Sequence, residues 1–127
     1  MTIKRVDHVG VMVADMERSI AFYTGILGLT LKSQIKHTNG VIDLAFLGTG
    51  AEGETDLELI RGYNDRLPEE GKVHHVAFAV DDVERWFRDL SSQPVEFVDK
   101  EITTLPNGYK YFFIMGPDRE RIELFQR

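Results

Sequence analysis

The fold is decided by one stretch, residues 73–80, which reads Val73-His74-His75-Val76-Ala77-Phe78-Ala79-Val80. In an extended strand, successive side chains point to opposite faces, so His75 shares a face with small residues and the other face carries a bulky apolar stripe. Residues 6–13 repeat this arrangement around His8, and 75 minus 8 gives an offset of 67. The sequence therefore predicts two equivalent strands, each presenting a histidine on the face opposite an apolar layer.

Other features of the chain recur at nearly the same offset. Asp15 and Asp82 (82 minus 15 is 67) each precede a helical pattern and can cap it. The Asn-Gly pairs 39–40 and 107–108 each predict a hairpin. Each half then closes with an apolar strand that contains one glutamate. The predicted strands after the helices are 29–36, 41–47 and 56–60 in the first half, and 95–102, 109–115 and 121–125 in the second.

These patterns predict an internal duplication in which each half is a β-α-β-β-β module. A module of about 60 residues buries too little apolar surface to be comfortable alone. We therefore expect one α+β domain of 127 residues built from two repeats, about 1–62 and 72–127, joined by a linker at 63–71. The two modules should form a curved mixed sheet around a cleft.

Composition excludes several classes of protein. The chain contains no cysteine, which rules out disulfides, thiolate metal sites and cysteine nucleophiles. Its net charge of -6 comes without a basic stripe, so a nucleic-acid partner is not expected. No uncharged apolar run could span a membrane, and the first residues lack the pattern of a secretory signal. We expect a cytoplasmic protein with no membrane partner.

Four side chains are candidates for a common site: His8, Glu58, His75 and Glu123. In the closing strands the leucines and isoleucine flanking each glutamate face the other way, so all four should point away from the helices. Two uncompensated carboxylates there would be costly, and a divalent cation would compensate them. Imidazole and carboxylate without thiolate suit Zn, Ni, Co, Mn or Fe.

Each of these residues also has a structural interpretation. A single histidine on a strand is more often structural than a ligand, and a glutamate between leucines is usually solvated. Their joint occurrence at repeat-related positions favours a metal site. His74 falls on the opposite face of its predicted strand and His37 lies beside a hairpin turn, so both are interpreted as structural or surface residues.

The sequence resembles the vicinal oxygen chelate superfamily. The resemblance rests on residues 7–10 (Asp-His-Val-Gly), 75–78 (His-Val-Ala-Phe) and 116–118 (Gly-Pro-Asp) leading into 122–124 (Ile-Glu-Leu), together with Phe-Tyr at 22–23 and Leu-Gly-Leu at 27–29. It implies paired β-α-β-β-β modules around a metal. One departure concerns the turn at 116–119, which reads Gly-Pro-Asp-Arg where the superfamily usually has Asp-Pro-Asp-Gly.

Within this superfamily, the His, Glu, His, Glu set is similar to that of glyoxalase I (lactoylglutathione lyase). The resemblance implies a metal-dependent isomerase that converts the hemithioacetal of methylglyoxal and a thiol to the S-lactoyl thioester. A cation stabilises the enediolate that forms, and a carboxylate moves the proton. Glu123 is the first candidate for this base and Glu58 the second. Arg61, Asn64, Lys110 and the tyrosines are available in place of the basic and amide side chains that glyoxalase I uses for glutathione, but none can be assigned. Two alternatives therefore stay open, a thiol other than glutathione and a substrate that is not a thiol adduct.

Two other functions remain open at this stage. The first is an acyl-CoA epimerase that moves a proton alpha to a thioester with the same residues. The second is a metal-free small-molecule-binding protein of the bleomycin-resistance type, for which apolar residues at the ligand positions would be expected. In each case the partner is a small molecule. Unpaired sheet edges and the resemblance both lead us to expect a homodimer.

Overall fold

The computed structural model describes residues 1–71 and 73–127. The chain divides into two compact units, Met1–Leu67 and Pro68–Arg127. The boundary between the units falls inside the predicted linker 63–71. Residue 72, the predicted start of the second repeat, lies outside the described residues.

The first unit forms one mixed sheet with a helix. Its elements are β1 (His8–Met12), α1 (Met16–Ala21), β2 (Thr30–Lys36), β3 (Asp43–Gly48) and β4 (Asp56–Arg61). A π-helical turn over Phe22–Ile26 continues α1. The strand order is β1-β4-β3-β2, with β1 parallel to β4 and the other neighbours antiparallel. The first and last strands of the unit therefore lie side by side.

The second unit repeats this architecture. Its elements are β5 (Val76–Ala79), α2 (Val83–Leu90), β6 (Glu96–Phe97), β7 (Thr103–Thr104), β8 (Lys110–Met115) and β9 (Arg121–Gln126). The strand order is β5-β9-β8-β6, and β7 also pairs with β8. β5 is parallel to β9, as β1 is to β4. The mixed α+β architecture predicted from the sequence is confirmed.

Both helices begin at the predicted caps. An Asp15 carboxylate oxygen accepts a hydrogen bond of 3.0 Å from the Arg18 N–H, and Asp82 accepts one of the same length from the Arg85 N–H. Each bond satisfies one of the N–H groups that lack a partner at a helix N-terminus. The helical segment after α1 ends near Gly28. Gly28 has a φ of 77°, the left-handed conformation in which glycine commonly ends a helix.

The prediction of one continuous strand over 95–102 is wrong. β6 covers only Glu96–Phe97, one further backbone bond runs from the Val98 N–H to the Phe113 carbonyl, and β7 resumes the pairing with β8 beyond residue 102. At the break, the Asp99 carboxylate accepts a hydrogen bond of 2.7 Å from the Phe113 N–H. A side chain thus takes the place of a backbone acceptor, and the strand does not continue through this point.

Apolar layers lie between each sheet and its helix. α1 packs against β3 and β4, and α2 packs against β8 and β9. The buried strand residues are Ala45, Leu47, Leu57 and Leu59 in the first unit and Phe112, Ile114, Ile122 and Leu124 in the second. The apolar stripes of the two histidine strands predict that Val11, Val13 and Val80 are buried. Val13 is buried, whereas Val11 and Val80 are only half-buried. Val11 lies in β1, and Val80 directly follows β5. Both strands are at the edge of their sheets and pair with a neighbour on one side, which leaves these side chains less covered.

The turn between β8 and β9 contains a strained residue. Arg119 has a φ of 63°, in the left-handed region that glycine adopts at much lower cost than other residues. Its guanidinium pairs with Glu69 at 2.5 Å and with Glu96 at 2.9 Å. The side chain at this position therefore ties the turn to two other segments of the second unit. Position 119 is one of the two, with 116, at which the turn departs from the usual Asp-Pro-Asp-Gly pattern.

None of the helices within residues 1–71 and 73–127 has the length and hydrophobicity of a membrane span.

Candidate metal and catalytic site

The first unit brings His8 and Glu58 together. The parallel pairing of β1 with β4 sets Gly10 opposite Glu58, so the imidazole two residues earlier lies on the same face as the carboxylate. His8 Nε2 is 3.6 Å from Glu58 Oε1. The ring of Phe46, on β3, meets the His8 ring edge-on at 5.8 Å between centroids. This face of the sheet is opposite the buried Leu57 and Leu59, as the alternation predicts.

The orientation of the His8 ring is fixed by its neighbour in sequence. Asp7 Oδ2 lies 2.9 Å from His8 Nδ1. This hydrogen bond is the main reason why the pKa of His8 is raised, with the Glu58 and Asp56 charges adding to it and burial opposing it. Because an ionised carboxylate only accepts, Nδ1 carries the proton. The Nε2 lone pair of neutral His8 then points toward Glu58, where a cation could bind it.

The second unit brings His75 and Glu123 together in the same way. Ala77 on β5 pairs with Glu123 on β9. His75 Nε2 lies 2.7 Å from Glu123 Oε2. The ring of Phe113 meets the His75 ring edge-on at 4.9 Å between centroids. Phe113 stands 67 positions after Phe46 (113 minus 46), so the duplication extends to the aromatic ring that supports each histidine.

Glu123 lies in an environment that favours the protonated form of its carboxyl group. Among the residues that the structure describes, it is the one charged residue that is buried, with 6% of its surface exposed. Burial raises the pKa of Glu123, the Asp99 charge acts in the same direction, and His75 opposes them without cancelling the shift. A carboxyl group with a raised pKa can accept a proton from a weak carbon acid and retain it.

The prediction that His74 lies on the face opposite His75 is wrong, although its side chain is exposed, in keeping with its interpretation as a surface residue. The prediction assumed a regular strand through residues 73–80, but β5 begins at Val76, so strict alternation does not apply to the two histidines. The His74 and His75 rings lie 5.2 Å apart, and their Nδ1 atoms are 2.9 Å apart. His37, by contrast, accepts a hydrogen bond from the Asn39 N–H in the hairpin turn, as a structural residue would.

Sequence reasoning also missed Asp7, Phe46, Asp99 and Phe113. The offset of 67 could have identified the two phenylalanines, since it relates both the rings and the histidines they contact. The same offset relates Asp7 to His74. Nothing in the sequence indicated the influence of Asp99, which depends on the break between β6 and β7.

The donor set fits a divalent cation. It consists of imidazole nitrogens and carboxylate oxygens, and the buried carboxylate of Glu123 has a pKa that a nearby positive charge would lower. Among the described residues, no three histidine, aspartate or glutamate side chains are grouped closely enough to hold a metal ion. The structure thus brings the four predicted ligands together as two pairs, one in each unit.

The polar groups considered for thiol binding lie in different places. Arg61 and Asn64 line a cleft of about 380 Å³ in the first unit, with Val13 and Leu67 among its apolar neighbours. The Arg61 guanidinium is already held by the Asp43 carboxylate. In the second unit, Lys110 Nζ lies 2.8 Å from Glu84. Because Arg61 and Lys110 each pair with a carboxylate, the presence of these two basic side chains has a structural explanation that does not require thiol binding.

Known proteins resemble nearly the whole of this chain. A sequence profile of the glyoxalase/bleomycin resistance protein/dioxygenase superfamily matches residues 5–124. The chain belongs to this superfamily. Its members commonly bind a divalent metal and small-molecule substrates, and they often form dimers.

Individual proteins are also similar to this chain over nearly its full length. An uncharacterised protein of Bacillus subtilis, YwbC, is 56% identical over 124 residues and 98% of each chain. A probable lactoylglutathione lyase of Vibrio cholerae is 31% identical, over 99% of this chain and 93% of that protein. Among solved structures, the trypanothione-dependent glyoxalase I of Leishmania major superposes with a TM-score of 0.80 at 29% identity, covering 98% of this chain and 87% of that one.

Proposed function

We propose that this protein is a metal-dependent isomerase of the glyoxalase I type. Its substrate would be the hemithioacetal of methylglyoxal and a thiol, and its product the S-lactoyl thioester. The observation that carries the proposal is the buried Glu123 carboxyl, with its raised pKa, 2.7 Å from an imidazole nitrogen. The similarity to lactoylglutathione lyases over nearly the full chain supports the same reaction class.

The residues of the proposed site divide into ligands and a base. His8, Glu58, His75 and Glu123 would hold one divalent ion (Ni, Zn, Co or Mn), supplied either by one chain or by the two chains of a homodimer. When bound, the ion stabilises the negative charge that develops on the substrate oxygens as a proton leaves the adjacent carbon. The edge-on rings of Phe46 and Phe113 restrict the orientation of the two imidazoles.

Glu123 would carry the proton between the two carbons. Its carboxylate takes the proton from the carbon bearing sulfur and oxygen, holds it in a site with little solvent access, and delivers it to the neighbouring carbon. The Glu58 side chain is slightly more exposed than that of Glu123, at 12% against 8%, and it lies farther from its histidine, at 3.6 Å against 2.7 Å. The raised pKa of Glu123 and its shorter distance to an imidazole favour Glu123, rather than Glu58, as the ligand that also acts as the base.

The decisive experiment combines metal analysis with an isomerase assay. Purified protein is analysed for bound metal, stripped, reloaded separately with Ni, Zn, Co and Mn, and assayed with methylglyoxal and several thiols. We expect one bound metal ion for every two His-Glu pairs, that is, one per chain. We also expect thioester formation with at least one thiol. His8→Ala and His75→Ala should lose metal, while the hairpin variant His37→Ala should retain it. Stoichiometric metal without isomerisation of any hemithioacetal would contradict the proposal.

An acyl-CoA epimerase is the second candidate function. It is favoured by the same observation, because a buried carboxyl with a raised pKa also suits proton transfer alpha to a thioester. Solvent deuterium incorporation at the alpha carbon of an acyl-CoA, without any hemithioacetal activity, would identify this reaction. A metal-free binding protein does not need paired carboxylates on its binding face, and the two His-Glu pairs count against that function.

A further inference from the structure

His74 engages the proposed ligand His75 directly. Their Nδ1 atoms are 2.9 Å apart, with the rings perpendicular. In the first repeat, Asp7 makes the equivalent contact to His8 Nδ1, also at 2.9 Å. Asp7 and His74 are related by the repeat offset, since 74 minus 7 is 67. In both units, then, the residue preceding the ligand histidine holds the ring nitrogen that faces away from the glutamate.

The chemistry of imidazole sets the direction of this hydrogen bond once Nε2 of His75 is bound to a cation. A neutral imidazole carries one proton, so with Nε2 occupied the proton must be on Nδ1. His75 Nδ1 then donates, and His74 Nδ1 must accept. The single proton of neutral His74 is consequently on its Nε2, which faces Glu70 Oε1 at 3.8 Å.

Glu70 is itself anchored. Its Oε1 lies 2.7 Å from Arg121 Nη2, and Arg121 belongs to β9, the strand that carries Glu123. The arrangement forms a chain of contacts from β9 through Glu70 and His74 to His75. It returns to β9 through Glu123.

We propose that His74 is a positioning residue that fixes the ring orientation and tautomer of His75, as Asp7 does for His8. This inference rests on the proposed metal site. The two repeats differ in the partner they use: Asp7 offers a carboxylate oxygen, whereas His74 offers a ring nitrogen and has the Glu70 carboxylate 3.8 Å from its other nitrogen. Partners of this kind fix the tautomer of a metal-bound histidine and contribute to metal affinity.

Metal affinity measured by chelator competition tests the proposal. Loss of such a partner typically weakens metal binding by about 10–100-fold, so His74→Ala should fall in that range. His74→Asp copies the arrangement of Asp7 and should restore affinity to the wild-type value or better. Val73→Ala, at an exposed neighbouring position, should leave affinity unchanged. Wild-type affinity in His74→Ala, or failure of His74→Asp to exceed His74→Ala, would overturn the proposed role.

A second measurement does not require metal and separates the two proposals. In the metal-free protein, NMR should show a single His75 ring orientation with contacts to the Phe113 ring. In His74→Ala the His75 ring should move between several orientations, and its NMR contacts to Phe113 should weaken by averaging. The His8 ring, held by Asp7, should keep its orientation. If wild-type protein binds no metal, the proposed function fails, yet this ring measurement still tests His74. An equally fixed His75 ring in His74→Ala overturns the positioning role.

Discussion

Replacing Glu123 with glutamine separates the proton-transfer role of this residue from its role in the fold. Glutamine has nearly the same size as glutamate, so it opens no cavity, and its side-chain oxygen can still face His75 Nε2 and bind a cation. What it removes is the ability to take up a proton. General-base catalysis is typically worth about 10²–10⁴ in rate, and each decade corresponds to about 1.36 kcal/mol. We therefore expect turnover to fall by that factor, or about 2.7–5.4 kcal/mol of transition-state stabilisation.

The stability of the metal-free variant gives an independent check on the electrostatics. Because the pKa of Glu123 is raised in the folded protein, its contribution to stability is fully present below the ordinary value of 4.5 and is lost as pH rises through the raised value. Glutamine abolishes this loss. Denaturant unfolding at about pH 5 and about pH 8 should show Glu123→Gln gaining stability relative to wild type at the higher pH.

Glu58→Gln is the matched control, since it makes the same chemical change at the repeat-related position. It should lower metal affinity while leaving more activity than Glu123→Gln when saturated with metal. Near-normal turnover in metal-loaded Glu123→Gln, together with inactive Glu58→Gln, would show that the two carboxylates have exchanged roles. Unchanged turnover in both variants would refute carboxylate-driven proton transfer altogether.

Three further predictions concern the core, the first histidine and the assembly. Leu59→Ala, at a fully buried position, should lower the free energy of unfolding by about 2–5 kcal/mol in denaturant titrations, against little change for the exposed Ile35→Ala. Because Asp7 raises the pKa of His8, metal affinity should decline as pH falls through a value above 6.5, and Asp7→Asn should shift this decline to lower pH; an unshifted curve would contradict it. Sedimentation should show a homodimer at micromolar concentration, and a monomer would contradict the predicted assembly.

Much of the architecture follows from patterns that act over a few residues. Alternation along β4 and β9 separates the buried apolar side chains from the glutamates, and the caps at Asp15 and Asp82 are satisfied within one helical turn. The repeat offset then relates the His8 pair to the His75 pair. These features depend on sequence periodicity, and the sequence therefore predicts them.

Other features depend on contacts between distant residues. The break after β6 requires the Asp99 side chain to capture an N–H group 14 positions further along the chain. The contact of His74 with His75 depends on β5 beginning only at Val76. The raised pKa of Glu123 depends on how deeply β9 is covered. No local pattern contains this information.

The strained turn before β9 constrains the order in which its residues can be exchanged during evolution. Arg119 holds a backbone conformation suited to glycine, and its guanidinium lies between the carboxylates of Glu69 and Glu96. Replacing the two acids first would leave a strained arginine without these partners. Introducing glycine first would remove the cation between two acids. A substitution at one of the three positions is therefore unfavourable while the other two are unchanged. Among related sequences, we expect the residues at these three positions to change together.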